Sequence, residues 1–154
     1  MNAMEQLNQA LTTVDGGYTI LLSLVLAAFL GMLLGVERTI AGKSAGMRTY
    51  ALVSLGAALF TILGSIIDLA YLGQAAFDPA RTLAAIVMGI GFIGTGLTVL
   101  HREGLAGLTT AAGIWVAAGI GVACGFHLYM IAAFATFLTL FVFTALWYVE
   151  HMIK

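Results

Sequence analysis

The spacing of charge constrains this chain more than any other feature. Gly16 to Val36 is a 21-residue stretch without Asp, Glu, Lys or Arg; Thr49 to Ile67 is 19 residues, Thr82 to Leu100 is 19, and Gly104 to Val149 is 46, interrupted only by His127. A helix rises 1.5 Å per residue and needs about 20 apolar residues to cross a bilayer, so the four gaps hold one, one, one and two crossings. The expected fold is all-α: a polytopic membrane protein built as a bundle of five transmembrane helices. Approximate spans are 18–36, 50–67, 82–100, 105–124 and 128–149, and a single transmembrane domain is expected over 1–154. The leader 1–15 carries Glu5 and Asp15 and no Lys or Arg, which does not fit a cleaved signal peptide. Its Met4, Leu7, Leu11 and Val14 suit a short interfacial segment.

Composition agrees. Only 8% of residues are charged, against about 25% in soluble domains. A formal net charge of −1 supplies no basic footprint for a phosphate backbone, so nucleic acid is excluded as a partner. The single cysteine, Cys124, excludes an intramolecular disulfide and a cysteine-based zinc cage. Counted by side, Arg38, Lys43, Arg48, Arg102 and Lys154 oppose Arg81, which places the N-terminus outside and the C-terminus in the cytoplasm. Tyr18, Tyr50, Tyr129, Trp147 and Tyr148 fall at helix ends as an interface belt requires, with Trp115 the exception.

Small residues recur at helical spacing: Ser23, Ala27, Gly31 and Gly35; Ser54, Ala58, Thr61 and Ser65; Ala106, Thr110, Gly113, Ala117 and Gly121. In lipid such stripes let backbones approach, so these faces are expected to meet one another or a second copy, making the chain a homo-oligomer. Five of the nine Phe (126, 134, 137, 141 and 143) lie after the last glycine, so the fifth helix is expected to be peripheral and lipid-facing.

Several patterns imitate chemical motifs. Gly89-x-Gly91-x-x-Gly94 matches a dinucleotide fingerprint but lacks the preceding strand and the later acidic residue, and Gly42-Lys43-Ser44 lacks the first glycine of a P-loop. Gly89, Gly91, Gly94 and Gly96 either form a close-packed helix crossing or permit an unwound, ion-binding turn, and close packing is the simpler reading. Every carboxylate lies outside the apolar cores, so no intramembrane acid marks a transport site. Mg2+ prefers carboxylates and retained waters, for which Glu37 and Asp78 are weak candidates at the rim; no resident cofactor is expected. His101, His127 and His151 are scattered, which disfavours a histidine metal site.

The cytoplasmic rim holds Glu37, Arg38, Lys43, Arg48, Arg102 and Glu103, with Thr109 and Thr110 one turn inside the fourth helix. Two readings stay open: a polar vestibule for an anionic ligand or an acidic partner segment, or interfacial anchors that pair with one another. Asp78-Pro79-x-Arg81 reads as a helix start, with Asp as N-cap and Pro at N1.

With those residues laid out, the sequence resembles the membrane domain of the MgtC/SapB family. The matching segments are Gly31-Met-Leu-Leu-Gly35-Val-Glu37-Arg38, Gly46-Met-Arg48-Thr49-Tyr50-Ala51-Leu52-Val53, Asp78-Pro-Ala-Arg81, Gly89-Ile-Gly91-Phe92-Ile-Gly94-Thr-Gly96 and Gly107-Leu-Thr109-Thr110-Ala111-Ala112-Gly-Ile-Trp115. They cover roughly Ala27 to Gly125. The resemblance implies a bacterial inner-membrane protein tied to adaptation to low magnesium and, in pathogens, to survival inside macrophages. It implies a non-enzymatic regulator acting on other membrane machinery, including the F-type ATP synthase; the alternative is a small transporter or channel for Mg2+ or another ion. Carried over position by position, it marks Glu37, Arg38, Arg48, Asp78, Arg81, the four glycines, Thr109, Thr110 and Trp115. Longer family members have a cytoplasmic C-terminal domain that this chain is read as lacking.

Overall fold

The computed structural model describes residues 14–70, 78–99 and 107–153. The N-terminal leader lies almost wholly outside them, as do His101, Arg102 and Glu103. All regular structure among the described residues is helical: α1 Val14–Ile40, α2 Met47–Ala70, α3 Pro79–Val99, α4 Leu108–Gly125 and α5 Tyr129–Ile153. Each contains a segment long and apolar enough to cross a membrane. The helices outrun most of the charge-free gaps because a helix continues past the hydrocarbon edge until a backbone signal stops it. α1 ends in a Schellman motif: Gly42 is left-handed at φ 66°, its N–H donates to Thr39 O, and Lys43 N–H donates to Arg38 O. α3 starts as the sequence predicts, with Ala80 N–H donating to the Asp78 carboxylate at 2.9 Å.

α4 is the centre of the bundle and touches all four other helices. Its Gly113, Ala117, Ala118, Gly121 and Gly125 are buried, so neighbours reach its backbone. A Cβ on Gly121 would run into the Ser54 carbonyl, and one on Gly125 would come within 2.9 Å of Ala58 O. The α1–α2 hairpin is as tight. A Cβ on Gly31 would stand 2.6 Å from Tyr50 O, and one on Gly35 would stand 2.8 Å from Met47 N. With little hydrophobic drive between helices in lipid, these close approaches supply the packing energy. Several threonine hydroxyls inside the spans are satisfied within their own helices, as in Thr61 to Ala57 O and Thr136 to Ala132 O. Ser54 departs from this: it is fully buried where Gly31 and Gly121 converge, and its Oγ has no hydrogen-bond partner among the described residues.

α5 is largely exposed, as its phenylalanines suggest, but α3 is more so: none of the described side chains of α3 is buried, whereas α5 buries Ala132, Thr136 and Phe143. Phe143 is drawn inward by a cation on α1, a contact no residue count reveals. α3 runs unbroken through its four glycines, with Thr95 and Thr98 hydroxyls bonding Gly91 O and Gly94 O; the close-packed crossing expected there is not made within the chain, since a Cβ on Gly89, Gly91 or Gly96 would meet nothing within 4 Å.

Candidate functional site: a buried ion pair beneath a basic rim

The last turn of α1 brings Glu37 and Arg38 to the end of the bundle where α2 and α4 begin. Sequence neighbours on a helix point about 100° apart, yet the long Arg38 side chain folds back. Its Nη2 donates to Glu37 Oε1 at 2.7 Å and its Nε donates to Oε2, a bidentate fork. The Arg38 side chain is 4% exposed and that of Glu37 18%. Removal of such a pair from water is repaid only by good geometry and further contacts, and here the contact is aromatic. The Phe143 ring of α5 lies 3.8 Å from the guanidinium carbon, a cation–π arrangement.

Tyr50 and Gly113 complete the cluster. Tyr50 is fully buried, and its hydroxyl donates to Thr110 O at 3.1 Å, which joins the start of α2 to the start of α4. Gly113 gives both aromatic side chains room, since a Cβ there would collide with the Tyr50 hydroxyl and approach Phe143 to 2.6 Å. Thr39 closes the neighbouring α1–α2 turn: its hydroxyl donates to Gly35 O and accepts from Met47 N–H. Outside this core, Lys43, Met47 and Arg48 are exposed.

Of the sequence-derived candidates, Glu37, Arg38 and Thr110 come together here. Thr109 is exposed beside them, and Arg48 stands on the surface without an ion pair to a described side chain. Asp78 and Arg81 lie at the opposite end, at the start of α3. Trp115, 54% exposed, sits on the α4 surface against a small apolar groove with Leu83 and Ile131. Gly31, Gly35, Gly113 and Gly121 are in close contact within the chain. Gly94 meets only Ala111 Cβ at 3.7 Å, and Gly89, Gly91 and Gly96 face open space.

Sequence reasoning passed over Phe143 and treated Tyr50 as a belt residue. No sequence signal distinguishes Phe143 from its neighbours, whereas Tyr50 lies inside a motif carrying the resemblance. It also missed a polar cluster at the far end, where Ser23, His127 and Tyr129 lie mutually within 3.0 Å. Here a signal existed, because His127 alone interrupts the 46-residue uncharged run.

Glu37 and Asp78, the weak candidates for Mg2+, lie at opposite ends of the bundle and are not brought together. Glu37 is engaged by Arg38 and Asp78 by a backbone N–H at the other end, and no three His, Cys, Asp or Glu cluster among the described residues.

Comparison with known proteins places this arrangement. Residues 24–152 match the model of the MgtC family. Escherichia coli K12 YhiD, named "Putative magnesium transporter YhiD", is 40% identical over 124 residues, covering 79% of this chain and 58% of YhiD. SrpB of Synechococcus elongatus is 34% identical, covering 76% of this chain and 69% of that protein. MgtC of Brucella abortus is 40% identical, covering 71% of this chain and 44% of that protein. The chain thus spans roughly half the length of several of these relatives. No solved structure matches it. The match includes the Glu37–Arg38 pair, Tyr50, Gly113 and Phe143, and this five-helix chain belongs to the MgtC family.

Proposed function

We propose that this chain is a non-enzymatic regulator in the bacterial inner membrane, acting in adaptation to low magnesium and virulence-type stress through membrane partners such as the F-type ATP synthase. The observation that carries the reading is the division of charge at the Glu37 end. Glu37 and Arg38 neutralise each other under Phe143, while Lys43 and Arg48 stand exposed around them. A self-satisfied pair fixes the helix ends and leaves a net positive rim for an acidic segment of a partner. By the excess of Lys and Arg on that side, the rim faces the cytoplasm. Gly91, open on α3, is the proposed contact between copies in a homo-oligomer.

The second reading, a small Mg2+ transporter or channel, draws on the similarity to YhiD, whose name describes it as a magnesium transporter. The test is reconstitution into sealed proteoliposomes with an internal magnesium indicator. The expected result is flux equal to that of empty vesicles, while a photo-crosslinking residue at position 43 or 48 captures a membrane protein in cells. Saturable flux would overturn the regulator reading. The flux control is Glu37→Gln with Arg38→Met, because removing Glu37 alone strands a buried cation.

A further inference from the structure

α2 and α3 follow each other in the chain yet splay apart, and a cavity of about 850 Å³ runs between them. Its walls are apolar, including Gly56, Phe60 and Gly64 on α2 and Ala85, Gly89 and Ile93 on α3. A Cβ added to Gly56 or Gly89 would meet nothing within 4 Å, so the groove has depth as well as length. One end differs: Arg81, with Thr82 beside it, lines the mouth at the start of α3. Arg81 is exposed and forms no ion pair with a described acidic side chain, the Asp78 carboxylate being turned to the Ala80 N–H.

The dimensions select the occupant. From Arg81 to Ile93 is twelve residues, about 18 Å of helix. One leaflet of hydrocarbon is about 15 Å deep. A guanidinium at headgroup depth over an apolar trench one leaflet long complements a phospholipid, with phosphate held by the charge-assisted fork and an acyl chain laid in the trench. A helix from a second copy would fill the trench but bring no phosphate to Arg81. We propose that the α2/α3 groove is a binding site for one anionic phospholipid, with its phosphate on Arg81 and one acyl chain against Gly56 and Gly89. This site is independent of the regulator reading.

The test is native mass spectrometry of the full chain in detergent, titrated with phosphatidylglycerol or phosphatidylcholine of identical acyl chains. Phosphatidylglycerol is expected to bind about fivefold more tightly, the preference one interfacial cation confers. Arg81→Gln should erase the preference while retaining chain binding, and Gly89→Leu should abolish binding of both lipids with helicity unchanged. Gly56→Leu fills the trench from the opposite wall and decides the matter should Gly89→Leu misfold. Equal binding of the two lipids, a preference that survives Arg81→Gln, or binding that survives both leucines would overturn the proposal. So would efficient disulfide linkage between copies through Gly56→Cys in phosphatidylglycerol vesicles, which would assign the groove to a second chain.

Discussion

The Ser23 hydroxyl of α1 lies 3.0 Å from His127 Nδ1, 104 positions later in the turn between α4 and α5. The turn is itself a Schellman motif, with Leu128 N–H donating to Ala123 O and His127 N–H to Cys124 O. Its left-handed position, normally glycine, is His127 at φ 61°. The imidazole contacts made with Ser23 and Tyr129 offset a backbone strain of about 1 kcal/mol. His127→Ala keeps the strain and loses the contacts, so it should destabilise by about 2 kcal/mol. His127→Gly should recover roughly half of that. Denaturant titration in micelles ranks the two, and a glycine variant no more stable than the alanine variant would refute the strained-turn account.

Phe143→Leu keeps most of the volume over Arg38 and removes the π face. The expected loss is about 1–2 kcal/mol, read as a lower thermal midpoint in detergent. A midpoint equal to wild type would mean the ring serves only as bulk.

Glu37→Gln leaves the Arg38 charge buried and unpaired, and should cost about 3–5 kcal/mol. Combining it with Arg38→Met should restore most of the stability, because a well-packed apolar pair is often neutral. A double-mutant cycle with additive effects would show that the two side chains do not act as a unit.

Gly121→Ala should destabilise by about 3 kcal/mol, since its Cβ would meet the Ser54 carbonyl. Gly91→Leu, in open space, should leave the monomer fold intact and act only on association between copies. Thermal unfolding checks the first, and crosslinking in membranes checks the second.

Ser54→Ala removes a buried hydroxyl that has no partner among the described residues, so it should be neutral or stabilising by about 1 kcal/mol. A clear destabilisation would reveal that the hydroxyl is bonded in the membrane.

The five crossings were legible because bilayer thickness converts directly into the length of an uncharged run, and Asp78-Pro79 announced the start of α3. The stripe Ser23, Ala27, Gly31 and Gly35 was equally visible. What it could not disclose is occupancy: a glycine against a backbone, such as Gly121, and one facing open space, such as Gly91, are the same letter at the same period. At the site, Glu37 and Arg38 were conspicuous as charges at the end of a span. Their enclosure was not, because it depends on Phe143, 105 positions after Arg38, and no local pattern encodes an encounter at that separation.

That enclosure has a temporal consequence. Glu37 and Arg38 are synthesised one after the other and can pair at once, whereas the aromatic ring that seals them belongs to α5, made about a hundred residues later. Until α5 emerges, the guanidinium has a counter-ion but no roof. The pair is thus covered only once α5 has joined the bundle, and a chain halted before Phe143 would display an uncovered ion pair to whatever quality-control machinery surveys the nascent membrane protein.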